Sequence, residues 1–185
     1  MDLDAALSAL AAGELIGFPT DTVYGVAADP MQEDAVGALF RAKGRPGVKP
    51  IPILAASLDS ARTIAVLPDQ VADHWPGALT VVAPRNDQLP PWVGDAAQGT
   101  VGVRVPAHPT ALAILEAAGP LAVTSANRSD EAPARNEREA EDALGGAVAV
   151  YLTGESGGTV SSTVVDLAGP EPRVLRQGPI IWGAA

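Results

Sequence analysis

The chain contains no cysteine, which excludes disulfide bonds and thiolate metal sites and makes a cytoplasmic location the default expectation. It also has no apolar run of about 18 residues, the length that a transmembrane helix needs. The first ten residues, MDLDAALSAL, are acidic and do not form the basic start of a signal peptide. We therefore expect a protein without membrane association.

Positive charge is scarce, with 12 lysine and arginine residues against 22 acidic ones and a net charge of -10. This balance argues against broad, sequence-independent nucleic-acid binding, which depends on many phosphate contacts. A small basic pocket on an acidic body stays possible, because field focusing in a cleft is local.

Lysine is the rarest of the charged residues, and Lys43 and Lys49 flank Arg45 in one short segment, KGRPGVKP. Glycine and proline on both sides exclude a helix or a central strand there. The cluster indicates an anion site; the alternative is that two lysines remain by chance in an arginine-rich composition.

The 185 residues, 47% of them hydrophobic, are enough for one domain with a substantial core, so we expect a single domain over 1–185. Apolar spacing and capping residues predict helices over 2–12, 32–42, 58–65, 68–75, 109–118 and 137–144. Short apolar runs predict strands over 14–18, 51–55, 79–83, 101–105, 121–124, 148–152, 162–167 and 173–175. The glycine-rich segment 154–158 is expected to be flexible. Interspersed strands and helices indicate an α/β fold around a mixed sheet.

Several familiar sites are excluded by their missing motifs. The chain has no P-loop, no G-x-G-x-x-G, no G-x-S-x-G and no H-E-x-x-H. His74 and His108 are isolated from each other and from any cysteine, so a protein-held zinc is not expected. We interpret both histidines as surface or packing residues.

Polar loops remain, each next to a predicted strand, where open α/β sheets place ligand sites. They are PTDTVYG (19–25), KGRPGVK (43–49), TSAN (124–127) and VSSTVVD (160–166), with Arg104 and Arg176 in or near strand ends. Brought together, these cations, hydroxyls and amides suit a polyphosphate or a carboxylate. No general base stands out, so chemistry there would rest on positioning and charge stabilisation, as in phosphoryl and nucleotidyl transfer.

The motifs PTDTVYG, KGRPGVKP, WPGALT, VGVRVPAHP, TSAN, SSTVVD and LRQG follow one another between residues 19 and 178. In this set and order the chain resembles the YrdC/TsaC family of L-threonylcarbamoyladenylate synthases. The resemblance implies a twisted mixed α/β sheet with flanking helices and a large open cavity, in the short single-domain form. It also implies the reaction of L-threonine, bicarbonate and ATP to threonylcarbamoyl-AMP and pyrophosphate.

The resemblance assigns residues to two sides of that cavity. The threonine side comprises Thr20, Thr22, Tyr24, Arg104, Thr124 and Ser162, with Tyr24 shaping the wall. The ATP side comprises Lys43, Arg45, Lys49, Thr100, Ser125, Asn127 and Arg176. Among these, the expected catalytic residues are Lys43, Arg45 and Lys49, which hold the phosphates and stabilise charge as pyrophosphate leaves.

The same resemblance implies Mg²⁺ bound with ATP, held mainly by phosphates and water and not by protein side chains. It implies separate downstream proteins that transfer the threonylcarbamoyl group to tRNA, with weak or no direct tRNA binding by this chain. Two alternatives stay open: a carbamoyl-adenylate-forming domain like that of hydrogenase maturation proteins, and an RNA-binding, ribosome-associated module.

Three positions depart from the family pattern. Asp130 stands where relatives have glycine in the loop after S-A-N, and Leu54 stands where some carry histidine. Arg135 falls where relatives have a small hydroxyl residue. Asp130 tolerates a left-handed conformation better than most residues, so the turn can persist.

Overall fold

The computed structural model describes residues 2–44, 50–129 and 131–183. Five α-helices alternate with strands along the chain. They are α1 (Leu3–Ala11), α2 (Glu33–Ala42), α3 (Leu58–Arg62), α4 (Pro109–Ala118) and α5 (Glu137–Leu144). Helix α4 begins with a proline in its first turn and ends at Gly119, and α5 is capped by the Asn136 side chain.

Nine strands form one sheet in the order β7–β1–β2–β6–β3–β5–β4–β8–β9. Their bounds are β1 (Ile16–Phe18), β2 (Gly25–Ala28), β3 (Ile53–Leu54), β4 (Leu79–Pro84), β5 (Thr100–Arg104), β6 (Leu121–Ser125), β7 (Val150–Tyr151), β8 (Thr163–Asp166) and β9 (Arg173–Arg176). Parallel pairs (β1 with β7, β3 with β5, β4 with β8) and antiparallel pairs both occur, so the predicted mixed α/β sheet is confirmed.

Strand β2 is missing from the sequence prediction, although it lies between β1 and β6 in the sheet. Its sequence, GVAA, contains one β-branched residue and follows a turn, so local propensity gives it little strand character. Pairing with two neighbours and burial on both faces make it a strand, which is a tertiary effect.

Other differences concern length and helix type. The predicted helix over 68–75 is a 3-10 helix, Asp69–His74, and the one over 58–65 ends at Arg62. The predicted strands over 51–55 and 148–152 each shorten to two residues, because only those residues form ladder pairs.

The segment 154–158, predicted to be flexible, is held against the turn that follows β1. The Gly157 amide donates to the Thr20 carbonyl (2.9 Å), and the Ser156 amide donates to the Arg135 carbonyl (2.7 Å). Its glycines permit a close approach to the turn that side chains would prevent.

Two apolar clusters cover the two faces of the sheet. On β2, Val26 and Ala28 belong to one cluster, and Ala27, which lies between them, belongs to the other. Helices α1 and α4 supply Leu10, Ile114 and other residues to the cluster on one face. The rest of that face, over β5, β4 and β8, is left to an open cavity whose lining includes no residue of a described helix. Among the described residues, no helix is long and apolar enough to cross a bilayer.

Candidate functional site

The cavity has a volume of about 790 Å³ and lies on one face of the sheet. Alternate residues of the strands face it, as the two-residue period of a strand requires: Thr100, Gly102 and Arg104 on β5, and Val123 and Ser125 on β6. Val101 and Thr124, which lie between them, belong to the lining as well. The polar groups predicted from the sequence that reach this lining are Thr20, Thr22, Thr100, Arg104, Thr124, Ser125, Ser162 and Arg176.

Arg104 is the most constrained cation of the cavity, with only 6% of its side chain exposed. Its Nε donates to the Gly77 carbonyl (2.9 Å), its Nη1 to the Thr22 hydroxyl (2.8 Å) and its Nη2 to Asp21 Oδ1 (2.6 Å). Burial lowers the pKa of the Arg104 guanidinium, and the Asp21 carboxylate acts in the opposite direction. The side chain is therefore a fixed and charge-compensated group at the cavity wall.

Asp21 was not among the predicted site residues, although it lies within PTDTVYG. Its ion pair joins residues 83 positions apart in the chain, so no local pattern indicates it. The turn around it is stabilised locally, because the Thr20 hydroxyl donates to the Val23 carbonyl (2.7 Å) and accepts from the Thr22 amide (3.2 Å). The sequence predicted a polar loop there, and the structure adds the buried charge pair.

Arg176 brings a second guanidinium to the cavity from the edge strand β9. Its Nε donates to the Ser162 carbonyl (3.0 Å), and the Ser162 hydroxyl lies 2.8 Å from that of Thr80. Burial and the positive charge of Arg104 both lower the pKa of Arg176. Two guanidinium groups that repel each other across a cavity favour an anion between them.

Lys43 contacts the end of β6 and the loop that follows it, and it does not line the cavity. Its ammonium donates to the carbonyl oxygens of Ser125 (2.6 Å) and Asn127 (2.9 Å), and the residue is 5% exposed. The Asn127 side chain does not line the cavity either, since its amide donates to the Arg128 and Glu131 carbonyls (both 2.8 Å). Lys43 thus contacts both the end of β6, where Ser125 lies, and the loop that follows it, and the nucleotide contacts of Lys43 and Asn127 stay a prediction from the sequence.

Arg45 and Lys49, the other two predicted catalytic residues, lie outside the described residues, and so does Asp130. Of the remaining departures from the family pattern, Leu54 lines the cavity on β3 beside Arg104. Arg135 lies on the surface, where it forms an ion pair with Glu139 (2.6 Å). That pair raises the pKa of Arg135 and lowers that of Glu139.

Tyr24 is placed differently from its predicted position at the threonine side. Its side chain is fully buried, and its hydroxyl donates to the Leu152 carbonyl (2.7 Å) and not into the cavity. Val23 and Gly25 line the cavity, whereas Tyr24, which directly precedes β2, enters the core beside Val26. Burial and the nearby Glu137 carboxylate raise the Tyr24 pKa above its ordinary value.

This placement predicts the ionisation of the chain's two tyrosines. Between about pH 10, the ordinary tyrosine pKa, and the pKa of about 12 to which burial raises Tyr151, we expect the folded protein to show little tyrosinate absorbance. The unfolded chain ionises there and the native one does not, so the free energy of unfolding should fall as the pH rises above about 10. The Tyr151→Phe variant leaves Tyr24 as its only tyrosine. If that tyrosine ionised near the ordinary tyrosine pKa, Tyr24 would be exposed to solvent and the prediction would be wrong.

The two histidines have no part in the cavity. The His74 ring lies 5.3 Å from that of Trp182, and His108 caps α4 by accepting from the Thr110 amide. His74 packs as the sequence predicted, whereas the capping role of His108 was not predicted. Within the described parts of the chain, no group of three histidine or acidic side chains could hold a metal ion.

Comparison with known proteins gives concordant matches. The Sua5/YciO/YrdC family model, described as telomere recombination, matches residues 8–178. A putative threonylcarbamoyl-AMP synthase of Mycobacterium tuberculosis is 43% identical over 182 residues, covering 95% of this chain and 83% of that protein. A threonylcarbamoyl-AMP synthase of Xanthomonas campestris is 40% identical over 172 residues, covering 89% of this chain and 91% of its own length.

Among solved structures, Pyrococcus abyssi Sua5 in complex with L-threonine superposes with a TM-score of 0.88 at 34% identity. The superposition covers 94% of this chain and 53% of the Sua5 chain, so the present chain spans about half of that protein. The resemblance seen in the sequence motifs is confirmed by these matches. The chain belongs to the Sua5/YciO/YrdC family.

Proposed function

We propose that this chain is a threonylcarbamoyl-AMP synthase, an ATP-dependent nucleotidyltransferase that converts L-threonine, bicarbonate and ATP to threonylcarbamoyl-AMP and pyrophosphate. Relatives that carry this name are 40% and 43% identical over most of the chain. The observation in the structure that best supports the proposal is the presence of Arg104 and Arg176 at one open cavity, beside Arg173, whose guanidinium forms an ion pair with Asp166. Each substrate is an anion or carries a carboxylate, so the reaction needs cations to bring them together.

On the threonine side of the cavity, Arg104 is proposed to bind the carboxylate of the amino acid. Three of the five N–H groups of its guanidinium donate to protein acceptors, and the others are available to a ligand. Thr22 lies in the same lining, where its hydroxyl can orient the amino acid. Thr124 also belongs to the lining, but it pairs with Val26, so its side chain takes the core face of β6. The bound L-threonine of Pyrococcus abyssi Sua5 is consistent with such a subsite.

On the nucleotide side, Thr100, Ser125 and Arg176 are the described residues of the cavity proposed to contact ATP. The proposal retains phosphate binding by Arg45 and Lys49 from the family resemblance. It gives Lys43 an indirect part, since the Lys43 ammonium holds the strand end on which Ser125 lies.

The chemical step follows from this arrangement of charge. Threonine and bicarbonate first form the N-carboxylate of threonine with loss of water. One carbamate oxygen then attacks the α-phosphorus of ATP, an oxygen–phosphorus bond forms, and the bond from the α-phosphorus to the bridging oxygen breaks to release pyrophosphate. Attack of an anion on a polyanion is opposed by Coulomb repulsion, so fixed guanidinium groups lower its barrier by positioning and charge stabilisation.

The acidic residues of the cavity indicate how the magnesium ion expected with ATP would be held. Among the residues the structure describes, Asp95 and Asp166 line the cavity, but no cluster of three acidic or histidine side chains occurs. This set fits an ion held mainly by phosphate oxygens and water, since Mg²⁺ commonly keeps several waters in nucleotide sites. When bound, such an ion supplies neutralisation of phosphate charge.

The product would be consumed by separate proteins that transfer the threonylcarbamoyl group to tRNA. A net charge of -10 supports weak or absent direct tRNA binding, because phosphate contacts drive such binding.

The test is pyrophosphate release by the purified protein with ATP, with threonine and bicarbonate supplied singly or together. We expect release only when both are present, together with a product that contains threonine, one carbon from bicarbonate and AMP. Serine in place of threonine is the matched substrate control and should support less release. Release that is independent of threonine or bicarbonate would contradict the proposed function.

A further inference from the structure

Asp21 lies behind Arg104 and not at the surface of the cavity. Its carboxylate contacts Arg104 Nη2 at 2.6 Å, and its side chain is 15% exposed. Residues on both sides of it, Thr20 and Thr22, line the cavity, whereas Asp21 itself does not. The contact of this carboxylate with the ligand site is therefore made through the Arg104 guanidinium.

We propose that Asp21, backed by Gly157 and Gly158, is a positioning residue that holds the Arg104 guanidinium in the orientation that receives the carboxylate of threonine. The proposal deepens the proposed synthase function and rests on it. It concerns how strongly the site binds the amino acid, and not the transfer of the adenylyl group.

The first support is the geometry of the guanidinium. Three acceptors in different directions (the Gly77 carbonyl, the Thr22 hydroxyl and the Asp21 carboxylate) take one N–H each and so determine its plane. The remaining N–H groups then have one orientation, which suits a planar carboxylate. Asp21 supplies the only charged acceptor of the three, and it is the shortest contact.

The second support is electrostatic. A buried guanidinium without a counter-ion pays a large desolvation cost, and removing one partner of such a pair leaves the other uncompensated. Asp21 opposes the effect of burial on Arg104. The charged groups around Arg104 include the second guanidinium of Arg176, which repels it across the cavity. The ion pair with the Asp21 carboxylate therefore keeps the Arg104 side chain at the cavity wall when no anion is bound.

The third support is the backing of the turn that carries Asp21. A Cβ atom at Gly157 would lie 3.0 Å from the Asp21 carbonyl oxygen, and one at Gly158 would lie 3.1 Å from that of Thr22. Both neighbours are backbone atoms, so even a methyl group would shift the turn by a few tenths of an ångström. The Gly157 amide also donates to the Thr20 carbonyl, which ties the two segments together.

The experiment measures L-threonine binding by titration calorimetry, which needs no turnover, and then KM for threonine and for ATP. We expect Asp21→Ala to weaken threonine binding by about tenfold or more, equivalent to about 1.4 kcal/mol. Asp21→Asn keeps one oxygen acceptor without the charge, and its affinity should lie between those of Asp21→Ala and the unchanged protein. The KM for ATP in every variant should stay within about twofold of its value in the unchanged protein, a much smaller change than the loss of threonine affinity.

Gly157→Ala tests the backing without removing a polar group, and it should raise the KM for threonine severalfold with kcat nearly unchanged. Its matched control is Gly146→Ala, because Gly146 is exposed and a Cβ atom there meets nothing within 4 Å. A residue needed only for folding would lower stability and the active fraction without this selective change in KM.

The outcomes separate this inference from the proposed function. Threonine binding that is absent from the unchanged protein, or equal or tighter in Asp21→Ala, would overturn the positioning role. Binding that weakens as expected in a protein that releases no pyrophosphate would support the positioning role and contradict the synthase function. If Asp21→Ala does not fold, Gly157→Ala decides the question, and an unchanged threonine affinity there counts against the proposal.

Discussion

Replacing Arg104 with alanine is expected to lower kcat/KM for threonine by about a hundredfold or more, with a much smaller effect on the KM for ATP. Truncating one partner of a buried, hydrogen-bonded charge pair costs about 2–5 kcal/mol, and each 1.4 kcal/mol corresponds to about a factor of ten. Here the truncation removes the proposed carboxylate contact and leaves Asp21 without its partner at 2.6 Å. Initial-rate kinetics with each substrate varied in turn measure the effect.

Arg104→Lys distinguishes geometry from charge at this position. Lysine retains the positive charge, but one ammonium group cannot contact Gly77, Thr22 and Asp21 in the directions that the guanidinium reaches. We therefore expect most of the loss to persist. The control is Arg62→Ala, which removes an exposed arginine that also forms an ion pair, with Asp69, outside the cavity lining.

Two results would count against the assigned role of Arg104. One is an unchanged KM for threonine in both variants, measured on protein whose circular dichroism matches that of the unchanged chain. The other is a loss that affects ATP and threonine equally, because that would indicate general disruption of the cavity.

Lys43→Met is expected to lower the free energy of unfolding by about 3 kcal/mol, since each buried polar group left unsatisfied costs about 1–3 kcal/mol. Methionine has a similar length but no donor, so the carbonyl oxygens of Ser125 and Asn127 lose the ammonium that they share. Because Ser125 lines the cavity, product formation should fall as well. Urea unfolding followed by tryptophan fluorescence measures the stability.

The matched control is Arg41→Met, in the last turn of the same helix but exposed. Its loss of a favourable charge at the helix C-terminus costs about 0.3–1 kcal/mol. If Lys43→Met unfolds at the same urea concentration as Arg41→Met, the buried ammonium does not stabilise the loop as its contacts indicate. A normal stability with lost activity would instead favour direct phosphate binding by Lys43.

Much of the fold could be predicted because its signals are local. Helix α4 was expected over 109–118 and α5 over 137–144, and both have those bounds, since proline, glycine and a capping asparagine mark their ends. Strand β2 could not be predicted in the same way. Its four small residues become a strand only because β1 and β6 pair with them.

The candidate site likewise has a part that local sequence patterns predicted and a part that depends on contacts between distant segments. Thr22, Arg104 and Arg176 were predicted and line one cavity, because motif residues on neighbouring strand ends converge on a sheet face. Tyr24 was predicted to shape the threonine side of the cavity, but its side chain is buried in the core, and the turn sequence before β2 gives no signal for that direction. The inward direction of the Lys43 side chain depends on contacts that span 82 and 84 positions, which no local pattern reports.

The sequence by itself determined the family and predicted the class of ligand. Two clustered lysines, polar loops next to predicted strands and motifs in family order indicate an anion-binding α/β protein, because residue type and spacing reflect the chemistry that a site needs. Only the tertiary structure decided which cations face the cavity and what holds them. Arg104 depends on a carboxylate and a glycine-backed turn from distant segments, and such long-range packing is set by the whole sheet and not by neighbours in the chain.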